Sequence, residues 1–378
     1  MVFLTLKKFA DALLSSLKEK TTNPKVMLIV DNDLDGVTSA ALLDTVLYEL
    51  NIEDLEVAFR DPLSWDIPYD LVNEYDPDIV ILLDIASNSV GDPKSLARLS
   101  PTVFQIDHHI TKDIGHPQRL MAYNPVRSGE YYVPTVFLSR EIGLHLNIES
   151  LASKNANLVT LIGLFADAAV SYYREENSAF KFYVEPKISD FYEYCKSESP
   201  KYFQIMTQDN FKFPLLQQIT SCMDFFNKDL GLDEGYVQLV NAMEKESQIE
   251  NLFEEVISNY NSDFLNLLDK LEKILNYYEN EPDMPIINYN NRQKDISNST
   301  LSRLLVEHTG KVVVVHSTAV TAMEVLISAR LPKSLHKDLV PLFEKYGGGG
   351  HSKACGARIR QEDLPLLLQD IENEVSSP

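Results

Sequence analysis

The stretch VMLIVDNDLDGVTSAALL, Val26–Leu43, decides the fold. Its first five residues are apolar without a break and rich in branched side chains, as in a strand buried on both faces of a parallel sheet. The run stops at Asp31, and Asp33 and Asp35 follow on alternate positions before a helical pattern begins. Aspartate is favoured in such a place as a loop and N-cap residue. Three carboxylates this close also repel one another unless positive charge lies among them, and a divalent cation is the densest charge available. Taken alone, the triplet leaves both readings open.

The same pattern recurs farther along the chain. DIVILL, Asp78–Leu83, leads into Asp84, and TVFQI, Thr102–Ile106, leads into Asp107, His108 and His109. Ionisable groups therefore follow the carboxyl ends of three strands, the edge at which open parallel sheets bind ligands. A fourth segment, LVTLIGLFAD, places Leu158, Leu161, Ile162 and Phe165 on one helical face and ends in Asp167. Together these residues favour the cation. Aspartate with histidine suits Mn²⁺ or a similar borderline ion, whereas an all-oxygen shell suits Mg²⁺ or Ca²⁺. Six or so ligands from four segments exceed what one ion needs, and two ions about 3.5 to 4 Å apart, sharing a carboxylate, use them all.

The whole chain sets bounds on this. Its 378 residues suit two or three domains. Lys and Arg number 34 against 56 Asp and Glu, a formal charge of −22, which argues against a broad basic surface gripping long nucleic acid. An anionic substrate must be held locally or with metal help. Cys195, Cys222 and Cys355 are too few for a disulfide framework or a Cys-rich zinc site, and fit a reducing cytoplasm. Near the start, Leu6, Phe9, Leu13, Leu14 and Leu17 follow helical spacing while Lys7, Lys8 and Asp11 interrupt the apolar run, so an amphipathic helix is expected rather than a signal peptide. No run approaches the roughly 20 apolar residues of a membrane span. A soluble cytoplasmic protein with no membrane association is expected.

The expected architecture is α/β. A parallel-sheet domain over 1–175 is followed by a helical, acidic, Tyr- and Phe-rich region over 176–282 and a smaller α/β domain over 283–378, with a cleft between the α/β parts expected. In the last domain MPIINYN and KVVVVHS read as strands and STLSRLLVEH as a helix. Gly347–Gly350 can turn consecutive backbone N–H groups toward an anion, with His351 adding a donor; a flexible turn before a strand is the plainer reading. From Arg330 to Arg360 the cations Arg330, Lys333, Lys337, Lys345, Lys353, Arg358 and Arg360 face only Asp338 and Glu344, which favours a phosphate clamp. His116, His145, His308 and His336 read as surface or core residues and Trp65 as packing, while His316, at a strand end, is a weaker cleft candidate.

DNDLDG, LLDIAS, IDHH and GLFADAA resemble, in order, the four motifs of the DHH phosphoesterase superfamily, and YGGGGHSKACGARI resembles the glycine-rich signature of its DHH-associated C-terminal domain. Only the helical middle lacks a matched motif, and Cys355 stands where relatives commonly show alanine. The resemblance implies that Asp31, Asp33, Asp35, Asp84, His108 and Asp167 supply metal ligands, with Asp84 the bridge. It implies that His109 faces the scissile phosphate, that Asp107 orients the neighbouring histidine, and that Ser328, Arg330, Gly348, Gly349, Gly350 and His351 contact substrate. The cofactor implied is a pair of Mn²⁺ ions, with Mg²⁺ or Co²⁺ as substitutes. The aspartate at 31 resembles RecJ-type nucleases, so the activity implied is a single-strand exonuclease on DNA or RNA that releases mononucleotides. The alternative is a phosphodiesterase for short oligoribonucleotides, cyclic dinucleotides or phosphoadenosine phosphate. The sequence ends soon after the glycine motif, without the extra oligonucleotide-binding domain of bacterial RecJ, which weighs toward short substrates. A third reading is a binding subunit of a replication or repair assembly, docking through the acidic helical region.

Overall fold

The computed structural model describes residues 2–19, 23–60, 67–86, 102–109, 120–125, 132–167, 186–208, 211–244, 248–279, 286–292, 297–318, 323–332, 334–351 and 353–376; the side chains of Val2, Phe3 and His351 lie outside that description, as do Trp65, His116 and Lys333. In chain order the first part runs β1 (Val2–Phe3), α1 (Leu6–Glu19), β2 (Val26–Val30), α2 (Leu34–Glu49), β3 (Leu55–Phe59), α3 (Tyr69–Tyr75), β4 (Ile79–Leu83), β5 (Thr102–Ile106), β6 (Leu120–Tyr123), α4 (Thr135–His145) and α5 (Lys154–Ala166). The six strands form one parallel sheet in the order β1-β6-β5-β4-β2-β3. Every residue of β2 and β4 is buried, which is why their sequences are apolar throughout rather than alternating.

Register matters more here than strand count. Phe59 pairs with Val30, Val30 with Leu83, Leu83 with Ile106, and Ile106 with Tyr123. The five residues that follow, Arg60, Asp31, Asp84, Asp107 and Asn124, therefore stand in one row at the carboxyl edge, successive strands about 4.8 Å apart. Backbone bonds extend the ladder by one step along this row: Arg60 N–H to Val30, Asp31 N–H to Leu83, Asp84 N–H to Ile106, and Asp107 N–H to Tyr123. The strands β1, β3 and β6 are short or flank the three runs that the apolar pattern reveals, and the sequence reading passes over them.

Helix α1 is amphipathic as its spacing predicts, burying Phe9, Leu13 and Leu17, with Phe9 edge-on to Phe104 at 5.4 Å. Helix α5 departs from the one-faced expectation. Residues Asn155 to Phe165 are all buried, because α5 packs against α2 and also against a later helix, α7, introduced next. The middle of the chain contains α6 (Pro186–Glu198), β7 (Ile205–Gln208), β8 (Phe211–Pro214), α7 (Leu215–Leu230), α8 (Leu232–Glu244) and α9 (Gln248–Glu279). The antiparallel pair β7–β8 corrects the reading of this region as wholly helical. Its signal is Ile, Thr and Phe on either side of the Asp209-Asn210 pair, a hairpin pattern hidden by the helical composition around it.

The chain divides into two compact units, residues 1–176 with 181–262, and residues 177–180 with 263–378. The second unit contains β9 (Ile286–Asn290), α10 (Asn298–Thr309), β10 (Val312–Thr318), β11 (Glu324–Arg330), α11 (Val340–Lys345), β12 (Gly349–His351), β13 (Ala354–Arg360) and α12 (Leu364–Ser376). Its sheet runs β12-β13-β11-β10-β9, parallel only between β9 and β10. One face of that sheet, with Val314, Ile327, Ala329 and Ala357, packs against Leu342, Phe343, Leu367 and Ile371 of α11 and α12. Among the described residues no helix is long and apolar enough to cross a membrane.

Candidate metal centre

The row of strand ends gathers the acidic residues of the first unit. Asp33 is the N-cap of α2, its Oδ1 accepting from Gly36 N–H at 2.9 Å, so the capping role and a place in the cluster coexist. Two residues on, Asp35 is 1% exposed and points back to α4, where Oδ2 accepts from Thr135 N–H and Oδ1 from Val136 N–H, both at 2.9 Å. Asp84 is 2% exposed, and its Oδ1 accepts from the Thr135 hydroxyl at 2.8 Å. Its φ of +59° is a left-handed conformation that L-residues adopt at a cost and that Asp tolerates better than most. The adjoining turn is pinned by buried Gln105, whose Nε2 donates to the Ile85 carbonyl at 2.6 Å.

His108 sits at the middle of the cluster. Its Nε2 is 3.1 Å from Asp84 Oδ1 and 4.0 Å from Asp35 Oδ2, and its Nδ1 is 3.5 Å from Asp167 Oδ2. Asp167 caps the C-terminus of α5, and the Tyr132 hydroxyl donates to its carboxylate as well as to its carbonyl at 3.1 Å. His109 turns its Nδ1 to Asp107 Oδ1 at 2.7 Å and lies 3.8 Å from Asp84 Oδ1. The other Asp107 oxygen accepts from Asn124 Nδ2 at 3.4 Å. At the far end of the row Asp31 pairs with the Arg60 guanidinium at 3.4 Å, and Arg60 is 5% exposed. Arg60, Tyr132, Thr135, Gln105 and Asn124 are absent from the sequence reading. Only Arg60 and Asn124 carry a signal there, as the polar residues directly following strands β3 and β6.

Among the described residues two overlapping sets of donor atoms each lie within 4.8 Å of one another, Asp84 with His108 and His109, and Asp35 with His108 and Asp167. Burial and then mutual repulsion push Asp84 and Asp35 well above the usual carboxylate range, and burial with the neighbouring Asp31 raises Asp33 to about 7 even though that residue keeps contact with solvent. A cation among them removes this cost. Burial lowers His108 to about 4 against the pull of Asp167, which leaves the neutral imidazole that binds metal. Burial works against the charge on His109 too, but Asp107 outweighs it and raises His109 to about 9. His109 is thereby a charged donor and Asp107 its fixed partner, held below the usual carboxylate range because His109 outweighs the effect of burial. Carboxylates around a neutral imidazole are a donor set that fits Mn²⁺.

The second unit holds the remaining candidates. Ser328 and Arg330, two apart on β11, share the face that carries α10. The Ser328 and Ser302 hydroxyls are 2.9 Å apart, and Arg330 Nη2 donates to Ser299 Oγ at 2.9 Å. Across the sheet Ser328 pairs with Gly356 and Gly356 with Gly349, while Arg330 pairs with Ala354 and Ala354 with His351. The glycine strand thus lies level with both residues, one strand removed. Of the four glycines, Gly347 and Gly348 turn their N–H groups to the Glu344 and Phe343 carbonyls and close helix α11. Glycine is required for close approach, since a Cβ on Gly348 would lie 2.3 Å from the Gly356 carbonyl oxygen.

The basic island is also smaller than the sequence implies. Arg358 pairs with Glu324 at 2.6 Å, and Arg360 with Glu362 at 2.8 Å and Asp363 at 3.2 Å. Lys353, 5% exposed, spends its ammonium on the carbonyls of Leu335 and of Lys337, the latter at 3.0 Å. The acidic partners lie just outside the window in which the cations cluster.

Comparison with known proteins bears on the fold that carries these residues. Residues 25–158 match the model of the DHH family, N-terminal domain. No curated protein matches the chain in sequence. Among solved structures, exonuclease RecJ bound to manganese is similar at 14% identity with a TM-score of 0.61, covering 100% of this chain and 96% of that one. RecJ with Mn²⁺ from Thermus thermophilus is similar at 14% identity and a TM-score of 0.59, covering 100% of this chain but 56% of that one, so the chain spans little more than half of its length. The DHH domain of a member of a ribosomal-protein family gives 16% identity and a TM-score of 0.59, covering 97% of this chain and 88% of that one.

Proposed function

We propose that this protein, which carries a DHH-family N-terminal domain on a RecJ-like fold, is a metal-dependent phosphodiesterase that removes mononucleotides from the end of a single strand of DNA or RNA. The observation that supports it most is the gathering of carboxylates around His108, whose Nε2 lies 3.1 Å from Asp84 Oδ1 and 4.0 Å from Asp35 Oδ2 and whose Nδ1 lies 3.5 Å from Asp167 Oδ2. Asp31, Asp33, Asp35, Asp84, His108 and Asp167 hold two divalent cations, Mn²⁺ before Mg²⁺ because imidazole belongs to the set. Such a pair acidifies a water toward neutrality and withdraws charge from a phosphoryl oxygen.

His109, kept protonated by Asp107, donates to a non-bridging oxygen of the scissile phosphate, where negative charge grows during in-line attack. Asp107 is already committed to the His109 ring and to its backbone N–H at 3.1 Å, so the donor is aimed before substrate arrives. In the second unit Ser328 and Arg330 take a phosphate of the strand. Arg330 suits this because a guanidinium presents several N–H donors in a fork that matches a phosphate.

The charge of −22 and the pairing of Arg358, Arg360 and Lys353 favour a second reading, in which the substrate is a short oligonucleotide or a small phosphodiester. Incubation with Mn²⁺ and a set of 5′- and 3′-labelled DNA and RNA strands, from dinucleotides to long strands, decides between the two. Stepwise shortening of long strands supports the exonuclease. Loss of dinucleotides alone supports the second reading, and no cleavage of any strand, nor of a cyclic dinucleotide or phosphoadenosine phosphate assayed beside them, ends both.

A further inference from the structure

We infer that Thr135 is a positioning residue that holds Asp35 and Asp84 at a fixed separation, one residue anchoring both carboxylates; this rests on the metal reading above. Thr135 is the first residue of α4 and is fully buried. The N-terminal N–H groups of a helix lack partners within it, and their partial positive charge favours an anion. Pro134, the residue at the cap, offers no side-chain acceptor. The acceptor comes from far along the chain instead, as Asp35 takes Thr135 N–H on one oxygen and Val136 N–H on the other. Asp35 is thus fixed in rotation, and the two N–H groups oppose the protonation that burial favours.

The same threonine reaches the next carboxylate. Its hydroxyl donates to Asp84 Oδ1, the oxygen that lies 3.1 Å from His108 Nε2. Two donors at right angles about one ion, each about 2.1 Å from it, stand about 3 Å apart. Thr135 therefore holds Asp84 Oδ1 where it and His108 Nε2 can enter one coordination sphere. Lone pairs remain for this, since an ionised carboxylate offers about four acceptor sites. Asp35 spends two on N–H groups, and Asp84 spends one on the Thr135 hydroxyl. The β-branched side chain has few rotamers, so the hydroxyl is aimed without further restraint.

The test uses the full chain with Mn²⁺ alone, as wild type, Thr135→Val and Thr135→Ser. Valine keeps the shape and both N–H bonds to Asp35 but removes the hydroxyl. Calorimetric titration is expected to show Mn²⁺ bound 10- to 100-fold more weakly at one site or more in Thr135→Val, about the loss that follows removal of a partner to a metal ligand. The electron paramagnetic resonance signal of coupled Mn²⁺ ions is expected to be lost, and Thr135→Ser to recover both properties. Wild-type affinity and coupling in Thr135→Val would overturn the inference while leaving the metal reading intact, whereas a wild-type protein that takes up no Mn²⁺ overturns both. If Thr135→Val does not fold, Thr135→Ala against Thr135→Ser makes the same comparison, and equal Mn²⁺ affinity in that pair overturns the inference.

Discussion

At the scale of single residues, Asp84 combines a backbone and a side chain that both resist their surroundings, with φ at +59° and a carboxylate pushed well above its usual range by burial and by Asp35. The two strains separate by substitution. Asp84→Asn keeps the tolerance for left-handed backbone, and is expected to lower turnover by more than the roughly 100-fold cost of losing an outer partner, read as initial rates with Mn²⁺. In EDTA the sign reverses. A carboxyl whose folded pKa is raised takes up protons on folding, so the native state loses stability as pH rises from about 4. Wild type in chelator is therefore expected to melt lower at pH 7.5 than at pH 5, and Asp84→Asn to show a smaller drop; identical slopes would refute the crowding. Asp31, Asp84, Asp107 and Asp167 are legible in the sequence because each follows directly on an apolar strand or helix, and Asp33, Asp35, His108 and His109 because they lie within a few residues of those ends. Thr135 and Tyr132 are not, since a hydroxyl that finds its carboxylate across the fold leaves no local spacing to read.

At the scale of elements, glycine and buried lysine decide the second unit. Gly350 has φ of +138°, and a Cβ there would meet the Ala354 carbonyl oxygen at 2.2 Å, whereas Gly347 has φ of +75° with nothing within 4 Å of a Cβ. Gly350→Ala is expected to lower stability by about 3 kcal/mol or more, through strain and collision together, and Gly347→Ala by about 1 to 2 kcal/mol from backbone alone. Chemical denaturation of the two variants checks the ranking. Lys353→Met removes the donor from two carbonyls and is expected to cost about 1 to 3 kcal/mol without changing the affinity for a single strand; weakened strand binding in a folded variant would return Lys353 to the phosphate clamp. The strands β2 and β4 were legible because they are continuous apolar runs, and β5, β9 and β10 because each contains a short run of branched or aromatic residues. The pair β7–β8 was not: three of the four residues of β7 are exposed, so burial imposes little pattern on it.

At the scale of the whole molecule, a charge of −22 and cations already paired within the second unit leave few positive groups for a phosphate chain. Single-strand affinity depends on salt with a log–log slope of about −0.7 per phosphate neutralised. For two or three such contacts a slope no steeper than about −2 is expected, and a much steeper one in a filter-binding titration would reveal a basic track. The parallel sheet and the later α/β part were legible in outline, whereas the sharing of α5 between α2 and α7 was not, since burial on all sides erases the helical stripe. The level row of Arg60, Asp31, Asp84, Asp107 and Asn124 also has a meaning in time. It is drawn from five strands far apart along the chain, the kind of pairing that forms slowly. No fragment carrying one strand can own the centre, so ion capture during refolding cannot run ahead of sheet closure. On the metal reading proposed above, Mn²⁺ uptake is then a stopwatch for topology, started at dilution from denaturant and stopped when the last strand end falls into line.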